Sequence, residues 1–159
     1  MNENNNFTVT FLVDKLPEEV FNAINNVRGW WSEEIEGNTD KLGAEFKFRS
    51  DNFHRSTQKI IEFVPGKKVV WHVQDSQINF VKDKAEWTGT DVIFEISKKA
   101  DQTELRFTHA GLVSALECYS DCSNAWGFYI KHSLFELITR GKGEPARKDQ
   151  APETQAVAR

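Results

Sequence analysis

From Gly43 to Gly111 the chain alternates apolar and polar residues in one run after another, with no helical period between them. Phe46 and Phe48 alternate with Glu45, Lys47 and Arg49. A second run, about His54 to Phe63, stops at Pro65-Gly66, where proline is preset and glycine permissive for a turn. Val69, Trp71 and Val73 alternate with Val70 and His72, and a weaker run, QINFV, follows. Val92, Phe94 and Ile96 form the next run, the polar KKADQ segment turns the chain, and Leu105, Phe107 and His109 share one face of the last. Period two of this kind reads as strands with one buried face. A meander of six or seven strands must cover that face, and only one segment is long enough to do so. It begins between Ser114 and Tyr119, is stopped by Gly141 and Gly143, and cannot resume past Pro145.

Ahead of the meander, Phe7, Val9, Phe11 and Val13 alternate with Thr8, Thr10 and Leu12, which predicts a first strand. Pro17 then opens a helix with Glu18 and Glu19 in its first turn, at the positive end of the helix dipole. Val20, Ala23, Ile24 and Val27 form its apolar stripe, and Gly29 is expected to break it. WWSEEIEG is expected as a short helical turn or loop, with one of Trp30 and Trp31 on the sheet and the other nearer the surface or a cavity mouth. One strand, two helices, about six strands and a long helix make an α+β layout. The 159 residues suit one domain with a real core, expected over 1–145, followed by a mobile tail at 146–159.

Projected at 3.6 residues per turn, the last helix gathers Tyr119, Cys122, Trp126, Ile130, Ser133 and Leu137 on one face, with Leu134 at its edge. A Trp, a Tyr, a Ser and a Cys thus mix with aliphatics on the inward face. Buried polar groups without partners cost about 1–3 kcal/mol each. Either the sheet satisfies them in a packed core, or water or a ligand does so in a cavity. Phe128 and Phe135 project to the opposite face, where a second copy of the chain is the expected cover, giving a homodimer.

The segments VPGKKVVWHV (64–73), WTGTDVIFEI (87–96), TELRFTHAGL (103–112) and CSNAWGFYIKHSLFELITRGKGEP (122–145) carry a resemblance to a known superfamily. With the element order above, the sequence resembles the START-like helix-grip fold, also called SRPBCC or Bet v 1-like. Within it, the sequence is similar to the group related to the C-terminal domain of the activator of Hsp90 ATPase. Cys122, Trp126, Gly141 and Gly143 match that group's pattern, and the resemblance covers about 7–145. It implies a curved antiparallel sheet gripping the last helix, with an internal cavity between them. Relatives bind lipids, sterols, polyketides or other apolar molecules, and some are cyclases or hydrolases. The eukaryotic activator carries a separate N-terminal domain with an Asn-rich, Trp-containing motif. NENNNF lacks the Trp, so an Hsp90 interaction is not expected.

Composition removes several other classes. A net charge of -4 with scattered basic residues argues against nucleic acid or an anionic membrane surface. No apolar run reaches the roughly 18 residues of a membrane span, and MNENNNF lacks the regions of a signal peptide, so a cytoplasmic location is expected. The two cysteines, Cys118 and Cys122, read as small buried hydrophobes. His54, His72, His109 and His132 have no metal-ligand spacing, and no nucleophile motif, phosphate loop or dinucleotide fingerprint is present. No cofactor, metal or catalytic residue is assigned.

The reading carried forward is a protein that binds a small apolar molecule between sheet and helix. Its wall is expected to draw on Trp31, Phe46, Phe48, Trp71 and Phe94 from the first half of the chain. Phe107, His109, Trp126, Ile130 and Ser133 complete it. The alternatives are an enzyme using His109 or a cavity carboxylate as acid or base, and an interaction or stress-related protein that acts through its surface without a ligand.

Overall fold

Seven strands pair antiparallel: β1 (Phe7–Val13), β2 (Glu36–Gly37), β3 (Glu45–Ser50), β4 (His54–Val64), β5 (Lys68–Ile78), β6 (Asp91–Lys99) and β7 (Gln102–Ala110). Their order across the sheet is β1-β7-β6-β5-β4-β3-β2. The computed structural model describes residues 6–50, 54–78, 86–113, 116 and 119–145. The expected tail, Cys118, most of NENNNF and the last three residues of QINFV lie outside them. The first two residues of QINFV, Gln77 and Ile78, continue β5 rather than forming a strand of their own.

The alternation read from the sequence sets the sheet's inner face. Val9 pairs with Phe107, Phe107 with Phe94 and Phe94 with Val69, so one apolar row crosses four strands. Each such side chain contributes about 1.5–3 kcal/mol by leaving water.

Two bulges interrupt the β4–β5 ladder and change which residues face inward. Thr57 pairs with Asp75 and Gln58 with Val73, which leaves Gln74 as an extra residue. An added residue reverses the parity of a strand. Val69, Trp71 and Val73 are therefore buried before it, and Ser76 and Ile78 after it. The second bulge falls at Ile61, between the pairs Ile60–Trp71 and Glu62–Val70. Past it Phe63 turns inward and meets Phe21 with ring centroids 5.0 Å apart.

The first helix, α1 (Pro17–Asn25), starts where expected, and the Glu19 carboxylate accepts the Leu16 backbone N–H at 3.0 Å. It ends at Asn26, whose φ of -86° and ψ of 66° leave the helical region. Gly29 does not break the helix but lies inside α2 (Val27–Trp30). A Cβ there would sit 2.6 Å from the Asn26 side-chain nitrogen, so the glycine serves that close approach. WWSEEIEG ends in the short strand β2, paired to Phe46 and Lys47 of β3, rather than in a helical turn or loop alone. Trp30 and Trp31 are both buried, at 0% and 2% exposure, which removes the surface position from the two expected for one of them, the surface or a cavity mouth. Beyond the end of α2 the chain runs between sheet and C-terminal helix, and both rings have apolar neighbours there.

The C-terminal helix has three parts: α3 (Tyr119–Phe128), a π-helical segment (Tyr129–Leu134) and α4 (Phe135–Arg140). The wider i→i+5 turn slips the helical phase relative to a uniform helix. Cys122, Trp126, Ile130 and Ser133 face inward as projected. Leu134, at the end of the π segment, and Ile138 beyond it are buried, and Leu137 is only partly so. The same slip turns Phe135 towards β1, where it meets Phe11 edge-on at 5.3 Å. Phe135 is thus not the bare outer-face residue that uniform projection predicts. Phe128 packs on Tyr129 and His132 of its own helix. Gly141, at φ 81°, ends α4 in the left-handed conformation.

Candidate binding site between sheet and C-terminal helix

All five tryptophans meet in the interior, each no more than 3% exposed. Trp31 lies flat on Phe48, with centroids 3.9 Å apart and planes at 12°. It is also close to parallel with Trp71 (5.4 Å, 19°) and Trp126 (5.1 Å, 27°). Trp126 in turn parallels Trp87 (5.7 Å, 11°). Phe46 and Phe94 approach Trp71 at 4.9 Å, and Phe107 approaches Trp126 at 4.7 Å. The expected wall residues Trp31, Phe46, Phe48, Trp71, Phe94, Phe107 and Trp126 therefore form one connected aromatic group, and Ile130 is fully buried on the same helix. Trp87, outside the expected wall, is part of this group.

His109 is fully buried and its hydrogen bonds fix its tautomer. Trp126 Nε1–H, which can only donate, gives its proton to His109 Nδ1 at 3.0 Å. Nε2 then carries the ring hydrogen and donates to Thr90 Oγ1 at 2.8 Å. Thr90 passes its own hydroxyl hydrogen to the Trp87 carbonyl at 2.6 Å. Gly111 makes the contact possible, because a Cβ there would lie 2.5 Å from the Thr90 methyl. Burial, together with His54 nearby, pushes the His109 imidazole down to about 3, and it is neutral at pH 7.

Ser133 has a different set of partners. Its hydroxyl donates to the Trp30 carbonyl at 2.7 Å and accepts the Glu144 backbone N–H at 2.7 Å. Gly143 lies so close that a Cβ would stand 2.5 Å from the Gly29 carbonyl oxygen and 2.7 Å from that of Ser133. Ser133 thereby ties the helix to the Trp30–Trp31 segment and to the chain leaving α4.

The inner face of β4 supplies polar groups that the sequence reading could not place. Ser56 and Gln58 are buried, at 4% and 0% exposure, and alternate with outward-facing Arg55 and Thr57. His54 shares their parity and meets Trp87 edge-on at 4.2 Å. Burial pushes its imidazole down to about 3. His54 Nε2, Ser56 Oγ, both amide atoms of Gln58, Trp71 Nε1 and Trp87 Nε1 have no hydrogen-bond partner among the described residues. The signal for this stripe is the alternation His54, Ser56, Gln58, Ile60, which the bulge at Ile61 conceals, because past it the inward position passes to Phe63.

The other histidines lie outside this region. His72 Nδ1 is 2.7 Å from Asp91, and His132 Nε2 is 3.0 Å from Glu144, both at the surface. No group of three metal-ligating side chains occurs among the described residues. An open groove of about 430 Å³, lined by Thr10, Phe11, Leu12, Lys99 and Glu104, lies along the β1 edge, away from the aromatic interior. No helix among the described residues is long and apolar enough to cross a membrane.

Comparison with known proteins agrees with this architecture. The solution structure of the Aha1 dimer from Colwellia psychrerythraea is similar at 24% identity and a TM-score of 0.70, over 87% of this chain and 98% of that one. CalU16 from Micromonospora echinospora is similar at 16% identity and a TM-score of 0.60, over 95% and 80% of the two chains. DynU16, a putative protein in the dynemicin biosynthetic locus, matches at 14% identity and a TM-score of 0.64, over 91% of this chain and 50% of that one. At these identities the likeness is one of fold. No curated protein matches the sequence. The family model of the Activator of Hsp90 ATPase homolog 1-like proteins matches residues 15–139, most of the chain. With its seven-stranded sheet and C-terminal helix, the chain belongs to that family, a group of the START-like, SRPBCC helix-grip superfamily.

Proposed function

We propose that the protein is a cytoplasmic small-molecule-binding protein whose site lies between the sheet and the C-terminal helix. The observation that carries this reading is the set of buried, unpartnered polar atoms set among near-parallel indole rings. A sealed core would lose about 1–3 kcal/mol at each such atom, whereas a bound molecule can satisfy several at once. Trp31, Phe46, Phe48, Trp71, Phe94, Phe107, Trp126 and Ile130 form the wall in this reading. His109 holds the Trp126 ring in place, and Ser133 fixes the helix over the Trp30–Trp31 segment. Two histidines whose pKa values lie about 3 are poorly matched to acid–base work at neutral pH, which favours binding over catalysis. An apolar fluorescent probe is expected to bind and to quench tryptophan emission, with its affinity altered in Trp126→Phe. Absence of quenching at saturating probe would end this reading.

A homodimer through the helix face bearing Phe128 and Phe135 is proposed beside it. Phe128 is only partly buried, and a solved structure of similar fold is a dimer. Because Phe135 already packs on Phe11, Phe128 is the more informative position. Light scattering is expected to give a dimeric wild type and a monomeric Phe128→Glu. A monomeric wild type removes the dimer.

A further inference from the structure

The chemistry of the β4 stripe narrows the ligand, on the basis of the binding reading above. Gln58 pairs across the sheet with Phe46 on β3 and Val73 on β5, and Ser56 with Phe48 and Ser76. The polar side chains are therefore flanked by the aromatic wall rather than by solvent. Ser76 is already engaged with Thr88 at 3.0 Å, which leaves Ser56, Gln58 and His54 as the open positions. Beside them on the same inner face are Trp71, paired with Ile60, and Trp87, 4.2 Å from His54 by ring centroid, whose unpartnered Nε1 atoms can only donate. Counting the Gln58 amide hydrogens, the region offers more donors than acceptors, so it calls for a partner rich in acceptor oxygens. Ser56, Gln58, Trp71 and Trp87 carry no charge, and an ion without a counter-charge is costly to bury. Trp31 lies within 12° to 27° of parallel with Phe48, Trp71 and Trp126, and Trp126 within 11° of Trp87, while Phe46 stands edge-on to Trp71 at 84°; the near-parallel set favours a flat molecule over a puckered one.

We propose that His54, Ser56 and Gln58 of β4, with the indole N–H groups of Trp71 and Trp87, form the polar half of the site and take an uncharged planar molecule bearing carbonyl or hydroxyl oxygens. The aromatic wall binds the flat skeleton of such a molecule, and the stripe reads its oxygens. Discrimination comes from the stripe, because a ligand lacking the oxygens leaves these donors unpaired.

Equilibrium dialysis with fluorene, fluorenone and a fluorenone carboxylate tests this, since the three share one planar skeleton. Fluorenone is expected to bind about tenfold tighter than fluorene, which corresponds to one satisfied buried donor. The carboxylate is expected to bind at least about tenfold more weakly than fluorenone. Gln58→Leu, which removes two unpartnered atoms and so should fold, is expected to cut the fluorenone preference to about threefold or less. Ser56→Ala gives a second, smaller substitution with the same expected direction. Equal affinity for fluorene and fluorenone, or tighter binding of the carboxylate, overturns the inference while leaving the binding reading intact. Failure of all three to bind removes both.

Discussion

Acidification from pH 7 to pH 4 is expected to lower the stability of the protein steeply, by roughly 3 kcal/mol through His109 alone. In the folded state the His109 pKa is about 3, against an ordinary value of 6.5. Between those values the unfolded chain takes up a proton that the folded chain refuses. Stability is therefore fully present above pH 6.5 and falls as the pH drops below it, by about 1.4 kcal/mol per unit, until the folded pKa is reached. Protonation at Nδ1 would also destroy the acceptor that holds Trp126 Nε1. His54 acts in the same direction. Urea midpoints measured at half-unit steps of pH check this. His109→Gln should be less stable than wild type at pH 7 and show a shallower decline below pH 6.5. Carboxylate titration would act on both proteins alike, so parallel declines would contradict the assignment, as would a His109 resonance titrating near pH 6.5.

Trp126→Ala is expected to cost about 3–5 kcal/mol, the range for removing a large buried aromatic. The ring is 1% exposed and meets Trp31, Trp87, Phe107 and His109. Its loss opens a void at the centre of the aromatic group and leaves His109 Nδ1 without a donor. Trp126→Phe keeps much of the packing but also removes the donor, so a smaller loss of about 1–3 kcal/mol is expected. Comparing the two by urea unfolding separates the packing contribution from the hydrogen bond. Equal costs for the two variants would mean that the hydrogen bond accounts for the whole effect and the ring contacts for none of it.

The fold was legible because its strands alternate cleanly and one helix alone could cover them. Val69, Trp71 and Val73 on β5, and Leu105, Phe107 and His109 on β7, face as their spacing requires. What was not legible traces to local departures from regular periods. The bulge at Ile61 reverses the facing of β4, so inward-turned Phe63 has the opposite parity to His54, Ser56 and Gln58, and the run alone could not decide whether those three point in or out. The π segment slips the helix phase, so uniform projection put Leu137 inward in place of Ile138 and left Phe135 bare, although it meets Phe11. Trp30 and Trp31 violate a rule that holds only inside regular structure, because they straddle the end of α2. Most of the buried aromatic group could be read from residue type and parity, whereas the facing of the polar residues on β4 required the register of β4 against β5.

Native mass spectrometry of the freshly purified protein tests the central claim most directly. Gentle ionisation preserves a molecule held between sheet and helix, and collisional activation then releases it for accurate mass determination. The account predicts a population heavier than the polypeptide by one discrete small molecule, with a composition containing oxygen, and loss of that population in Trp126→Ala. A single species at the mass of the bare chain, unchanged after incubation with fluorenone, would contradict it.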